Sequence, residues 1–304
     1  MLNGSQVSEF DRNGYLNGGR VLDDADVDEL RDELDRVIAR GKSGFAPDEP
    51  QPVRIADLGK GKDSGGEVWQ IVNIWEASPA FDRLLYLRTV AEGISQLAHH
   101  GEIQIWHDQI QYKPPHHGGI NNWHQDAPYW PVIRPSTPVT AWIALDDVDV
   151  TNGCMWMVPG SHKWGNQIEL LQNNPQERFF DVGKDFTPPA GAEIERVRVM
   201  PWPVRKGEVS FHHSMTWHGS HENHSDRTRR AIALHFMTGD ARFVASGSHP
   251  LKQFIQLPDG APMRDAGDHF PHIVRDGKRV PMPTRLRLAK LGQIAFSARP
   301  LAAE

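Results

Sequence analysis

The sequence predicts a mainly β protein, a β-barrel or jelly roll buttressed by N-terminal helices. Two observations carry this. Apolar residues in the first hundred positions recur at helical spacing, and from residue 102 onward the pattern changes to alternation over many short runs. Helices first and short strands afterwards fit a barrel leaning on a helical layer.

The helical part opens with a segment capped by Asp23 or Asp24 and running through Arg40. Val27, Leu30, Leu34, Val37 and Ile38 share one face and Gly41 stands at its end. Residues 42–66 are rich in Gly, Pro, Asp and Lys and read as a loop. Ser78-Pro79 has the order of an N-cap followed by an N1 proline. Phe81, Leu84, Leu85, Ile94 and Leu97 extend one helical stripe from there to Gly101.

In 102–112, Gln104, Trp106, Asp108, Ile110 and Tyr112 fall on one face and Ile103, Ile105, His107, Gln109 and Gln111 on the other. Val139–Val148 and Cys154–Val158 flank Asp149-Val150-Thr151-Asn152-Gly153, a hairpin signal. Glu208–His212 and Arg229–Thr238 are further strands. Residues 163–206 have weak periodicity and are too long for a plain connection, which suggests a lid. The Pro-rich tail from about Ser246 is expected to wrap the barrel. One domain over 1–304 is the expectation: a helical buttress (1–100), a core (101–240) holding the 163–206 insertion, and an extension (241–304).

Composition narrows the function. A net charge of -6, with dispersed Lys and Arg, argues against nucleic-acid and anionic-membrane partners. The single cysteine, Cys154, allows no internal disulfide. Met1 to Arg12 lacks the layout of a signal peptide, and no apolar run reaches the roughly 18 residues of a membrane span, so a cytoplasmic protein is expected. Sixteen histidines, clustered in 116–124 and 212–224, are the unusual count.

Within the first cluster stands Trp123-His124-Gln125-Asp126. Residues two apart on a strand point the same way, so an imidazole and a carboxylate can face one site. A third ligand would complete a two-His-one-carboxylate face that leaves coordination positions open. His-X-Asp alone is a common pattern, and His224-Ser225-Asp226 is a second instance. That pair lies in a polar turn, whereas His124 lies among Trp123, Tyr129 and Trp130.

The order of motifs is similar to that of the phytanoyl-CoA dioxygenase family of 2-oxoglutarate oxygenases. The matching residues are His124-Gln125-Asp126, Ala141-Trp142, Asn152-Gly153-Cys154, Pro159-Gly160-Ser161-His162-Lys163 and His218-Gly219-Ser220, followed by Asn223 and Arg229. Phe10–Gly14 and the helix after it resemble the family's opening, so the likeness covers most of residues 8–240. It implies a double-stranded β-helix (jelly roll, cupin-like), Fe(II), and oxidation of a small-molecule substrate by O2 coupled to decarboxylation of 2-oxoglutarate. It also implies an arginine eleven residues beyond the distal ligand. His162, His212, His213, His221 and His224 have Asn173, Asn223, His224, Ile232 and His235 at that distance; only His218 has an arginine, Arg229.

The resemblance thus implies His124, Asp126 and His218 as the metal ligands, with Arg229 anchoring the far carboxylate of 2-oxoglutarate. A guanidinium fork suits that task, and the small Ala231 and Ala233 on the same strand face leave room. Ser220, Gln109 and Trp142 are expected beside the cosubstrate. Tyr129, Trp130, Ile133 and Arg134 are expected at the substrate. Gln125 faces away from the two ligands in an ideal strand, and Arg230 reads as surface charge. His99, His100, His116, His117, His249, His269 and His272 read as surface or loop residues. In the halogenating relatives the carboxylate is Ala or Gly; the retained Asp126 favours hydroxylation, with desaturation or cyclisation on the same iron as alternatives. A cupin-like metal oxygenase without 2-oxoglutarate and a non-catalytic binding barrel are the readings from other classes. The oligomeric state is not legible.

Overall fold

The computed structural model describes residues 1–57, 69–116, 119–136, 138–173 and 197–283. In chain order these form α1 (Gly4–Asn13), β1 (Tyr15–Arg20), α2 (Asp24–Ser43), β2 (Arg54–Asp57), β3 (Trp69–Val72), α3 (Pro79–Leu85), α4 (Arg88–Leu97), β4 (Ile103–Lys113), β5 (Asn121–His124), β6 (Ile133–Arg134) and β7 (Val139–Ala144). There follow β8 (Met155–Met157), α5 (Ile168–Asn173), β9 (Met200–Trp202), β10 (Glu208–His213), β11 (His218–Ser220), β12 (Arg229–Thr238), β13 (Arg242–Phe243), β14 (His272–Arg275) and β15 (Lys278–Arg279). Among the described residues no helix is long and apolar enough to cross a membrane.

A larger antiparallel sheet runs β1-β10-β7-β12-β4-β14-β15, with β3 and then β2 joined to β4; a smaller one runs β5-β11-β8-β9. Alternation along β7 and β12 decides what each face covers. Ala141, Ile143, Ile232 and Leu234 pack with Phe211, Leu30, Leu34, Phe81 and Ile94 in the core under the helices. Trp142, Ala144, Ala231 and Ala233 turn the other way, against Met155 and Met157 of the smaller sheet. The double-stranded β-helix is therefore present, and the functional side chains lie between its sheets.

Asp23 is the cap of α2. Its carboxylate accepts from the Asp26 backbone N–H at 2.8 Å, and the Asp26 side chain accepts from the Asp23 N–H at 3.1 Å. Gly41 does not stop this helix, which continues to Ser43; a Cβ at Gly41 would collide with Ile55, so the glycine permits close packing of helix on strand. The single helix expected from Ser78 to Gly101 is two, α3 and α4. Leu85, Tyr86 and Leu87 are consecutive and all buried, which one face of a continuous helix cannot achieve, and Leu87 is extended (φ -57°, ψ 121°).

The expected hairpin around Asp149–Gly153 is also different. β7 belongs to the larger sheet and β8 to the smaller, so this turn carries the chain between sheets. In β4 the ideal alternation fails at Trp106, where the pairing with β12 steps from His107↔His235 to Ile105↔Phe236. The extra residue reverses the faces. Ile103, Ile105 and Ile110 then all face the helices, while His107, Gln109 and Gln111 line the space between the sheets. Of the expected lid, 174–196 lies outside the described residues; the flanking parts give α5 and β9. Of the expected tail, 284–304 lie outside the described residues; in the part before them β14 pairs with β4, and Leu251, Met263 and Phe270 pack with Trp106 and Trp130.

Asp108 faces the helical side, fully buried, and accepts from the backbone N–H groups of Ile74 (2.8 Å) and Trp75 (3.2 Å). Burial pushes its carboxyl up to about 7 despite these bonds. The folded value exceeds the unfolded one of about 3.9, so its contribution is complete below about pH 4 and lost as pH rises through 7. The slope is on the order of 1 kcal/mol per pH unit. Asp108→Asn should flatten the dependence of the urea midpoint between pH 5 and pH 7. Parallel curves for the two proteins would contradict this.

Candidate active site

The two histidines and the aspartate reach one point from different elements. His124 ends β5, Asp126 follows it at the entry to a short 3-10 turn, and His218 opens β11, where it pairs in register with His124. One ligand atom from each lies within 4.8 Å of the others. His124 Nε2 is 3.5 Å and His218 Nε2 3.6 Å from Asp126 Oδ1. A cation about 2.1 Å from each atom fits inside such a triangle.

The tautomers are set from behind. His124 Nδ1 donates to the Asn122 carbonyl at 2.7 Å and His218 Nδ1 to the Thr216 carbonyl at 2.9 Å, which leaves both Nε2 lone pairs free to ligate. Asp126 divides its oxygens. Oδ2 accepts from His212 Nε2 (3.1 Å) and from the Thr140 hydroxyl (3.3 Å), so Oδ1 is free for a metal. Burial pushes the Asp126 carboxyl up, yet His218, His124 and His212 outweigh it and hold it well below the usual carboxylate range. Burial and then His124 push His218 down to about 3. Burial works against a charged His124 as well, but the Asp126 carboxylate and the Asn122 carbonyl outweigh it and raise that group. A hard carboxylate with two imidazoles is a donor set suited to iron(II).

A second cluster lies at the neighbouring ends of β4, β11 and β12. Arg229 is fully buried, with Nη2 donating to the Gly153 carbonyl at 3.0 Å and its guanidinium carbon 5.6 Å from the centre of the Trp142 ring. Its Nε has no hydrogen-bond partner among the described residues. Burial pushes it down to about 10, so it is still a cation at neutral pH. Lys113, paired with Arg229 across the strands, is buried too and donates to Ser220 Oγ at 2.8 Å. Among the described residues no carboxylate forms an ion pair with either side chain. Burial, and then Arg229, hold Lys113 well below the ordinary lysine range, so Arg229 is the buried cation here. A buried positive charge without an anion is costly and marks a place for one. The dicarboxylate 2-oxoglutarate fits.

His124, Asp126, His218, Ser220, Trp142, Gln109, Tyr129 and Trp130 line a cavity of about 540 Å³; Arg229 and Lys113 are not in this lining themselves but touch its Ser220. Trp142 donates through Nε1 to Gln111 Oε1 at 3.1 Å, which fixes the ring. Arg134 is not part of this lining. On β6 it alternates outward and is exposed, while Ile133 turns inward to pack with Trp106 and Trp130. Gln125 faces away as expected, donating to the Gly165 and Met215 carbonyls. His224 and Asp226 are exposed, and Asp226 pairs instead with His116 at 2.6 Å. Arg230 is not the expected surface charge: on the helix-facing side of β12 with Ile232 and Leu234, it is half-buried and pairs with Asp146, which also pairs with Arg31 of α2.

Five residues at the site were not singled out from sequence for these positions: His107, Lys113, His212, His235 and His249. His107, His235 and His249 line the cavity. The signal for three of the five existed. The face shared by Arg229, Ala231 and Ala233 reaches His235 two residues on, and the one through Gln109 and Gln111 reaches Lys113 and His107. His212 carries no ligand role, yet it holds the ligand Asp126. His249, expected in a loop, is in one, but that loop closes over the cavity.

The family model for phytanoyl-CoA dioxygenase (PhyH) matches residues 10–231. The human peroxisomal phytanoyl-CoA dioxygenase is 24% identical over 253 residues, 77% of this chain and 68% of that protein. The mouse phytanoyl-CoA dioxygenase domain-containing protein 1 is 36% identical over 121 residues, and that alignment spans 38% of either chain. Among solved structures, the non-haem α-ketoglutarate-dependent carbocyclase SnoK from nogalamycin biosynthesis superposes with a TM-score of 0.67 at 28% identity, covering 89% of this chain and 96% of that one. The chain belongs to the phytanoyl-CoA dioxygenase family of non-haem iron, 2-oxoglutarate-dependent oxygenases.

Proposed function

We infer that this oxygenase hydroxylates an unactivated C–H bond of a small-molecule metabolite, releasing succinate and CO2. The observation that carries the reading is the pairing of a complete two-His-one-carboxylate triad with a buried arginine that has no anionic partner among the described residues. Bound by His124, Asp126 and His218, iron(II) supplies the coupling of 2-oxoglutarate decarboxylation to oxidation of the substrate.

The chain's own residues do the rest. Arg229 forks onto the far carboxylate of 2-oxoglutarate, with the Ser220 hydroxyl beside it. Lys113 donates to Ser220 Oγ, so the hydroxyl proton is free to point at that carboxylate. Trp142 and Gln109 flank the cosubstrate, and Ala233 leaves it room. Thr140 and His212 engage Asp126 Oδ2, so Oδ1 would be the oxygen offered to the iron. Tyr129 and Trp130 shape the substrate end, where Trp130 shields the inner wall from water.

Oxidative cyclisation on the same residues is the second reading, favoured by the likeness to the carbocyclase SnoK across nearly its whole length. Both readings share one test. Under anaerobic conditions Fe(II) plus 2-oxoglutarate should give a weak visible charge-transfer band, and admitting O2 should release succinate. A protein that gives neither is not a 2-oxoglutarate oxygenase. Mass analysis of the product then separates the two, since hydroxylation adds an oxygen atom and cyclisation removes two hydrogens.

A further inference from the structure

At the end of the cavity away from Arg229, three imidazoles meet two indoles. The ring centres of His107 and His235 are 4.5 Å apart, those of His107 and His249 5.6 Å, and those of Trp130 and His235 4.7 Å. Trp106 backs His249 at 5.0 Å. Proposed ligation uses none of these groups, yet His107 and His235 are almost completely buried.

Their hydrogen bonds fix what they offer. His107 Nδ1 lies 3.2 Å from the Asp108 carbonyl oxygen, which can only accept, so Nδ1 carries the proton and Nε2 is a bare acceptor. That Nε2 is buried and has no hydrogen-bond partner among the described residues. His249 is the reverse. Its Nδ1 accepts from the Leu251 backbone N–H at 3.2 Å, so in the neutral ring the proton sits on Nε2 as a donor. Burial lowers both groups, His249 to about 4, which keeps the rings neutral at physiological pH. His235 joins this end to the metal ligands through Thr140, which it meets at 2.9 Å.

His107 and His249 both line the cavity, the first with a buried acceptor nitrogen and the second with a donor. A carboxylate or phosphate only accepts and would leave His107 unpaired. An ammonium only donates and would oppose His249. An alcohol does both. The cationic lining residue Arg54 is exposed, while Gln70 and Gln109 add amides suited to further hydroxyls. We propose that His107 and His249 form a hydroxyl-binding subsite, and that the substrate is a neutral polyhydroxylated compound held with one alcohol donating to His107 Nε2 and accepting from His249 Nε2. This rests on the oxygenase reading and narrows its substrate.

The test uses the full chain loaded anaerobically with Fe(II) and 2-oxoglutarate, titrated with methyl glycosides and inositols, their singly deoxygenated counterparts, the matching uronates, and fatty acyl-CoA thioesters. Perturbation of the charge-transfer band reads binding without turnover. A neutral polyol should perturb it, and removing one particular hydroxyl should weaken binding roughly 10–100-fold. His107→Phe and His249→Phe, which keep the ring stack, should each weaken the polyol by a similar factor and leave its matching deoxy counterpart unaffected; His107→Gln should restore part of the loss. The deoxy series on the wild type needs no variant to fold. Perturbation by uronates or acyl-CoA thioesters alone, or by no probe at all, would overturn the subsite. Absence of the band before any probe is added would instead sink the oxygenase reading beneath it.

Discussion

Arg229→Ala is expected to weaken 2-oxoglutarate binding by roughly 2 to 3.5 decades. This corresponds to the 3–5 kcal/mol typical of breaking a buried charge pair, at about 1.4 kcal/mol per decade. The charge-transfer band should vanish at cosubstrate concentrations that saturate the wild type, and O2-dependent succinate should fall in step. The folded state without cosubstrate should lose much less. Arg229 has no ion pair among the described residues, so the substitution removes hydrogen bonds to Gly153, Ser220 and Gln111 and a buried charge but no carboxylate contact. Arg229→Lys should fall between, because an ammonium keeps the charge but cannot make two parallel bonds. Thermal melts with and without 2-oxoglutarate check this: the wild type should gain stability on addition and Arg229→Ala should not. If Arg229→Ala keeps full affinity, the buried cation is structural and the cosubstrate reading fails with it.

The sequence made the metal site legible because two kinds of order met there. His124 and Asp126 stand two apart as a strand pair would, although β5 ends at His124 and Asp126 is helical (φ -70°, ψ -49°). The interval to Arg229 that the family resemblance implies selected His218 from six histidines. What it could not carry was register. The face containing His107 was read correctly as the Gln109 and Gln111 face, yet the bulge at Trp106 breaks that face, so Ile103 and Ile105 belong to the helical core and not with them. Bulges leave no mark in a period-two pattern. The Asp149–Gly153 turn looked like a hairpin because turn chemistry is local, while the choice of sheet for β7 and β8 depends on β10, β11 and β12, far along the chain. Arg134 departs from expectation for a similar reason: Tyr129 and Trp130 line the cavity, but pairing of β6 with β13 turns Arg134 outward. His249 had no periodic signal, since the loop that brings it to the cavity is held by packing of Leu251 with Trp106 and Trp130.

Removal of a ligand should separate the two His-X-Asp pairs directly. Added at about 100 times its dissociation constant, a divalent metal stabilises the fold by about 2.7 kcal/mol. For 304 residues this raises the melting temperature by roughly 4 °C. His218→Ala should abolish that rise and the charge-transfer band together. It is the cleaner of the possible ligand variants, because the one protein hydrogen bond given up is Nδ1 to the Thr216 carbonyl. Asp126→Ala should abolish both signals too, but at a further cost to the metal-free protein of about 1–3 kcal/mol, since His212 Nε2 and the Thr140 hydroxyl lose their buried acceptor. His224→Ala is the control. His224 is exposed, and Asp226 is engaged by His116, so the metal-induced rise should be unchanged. A His224→Ala protein that loses the rise while His218→Ala keeps it would move the metal to the exposed turn. The buried imidazoles would then have to be explained without iron, a difficult position for four rings gathered around one ionised carboxylate.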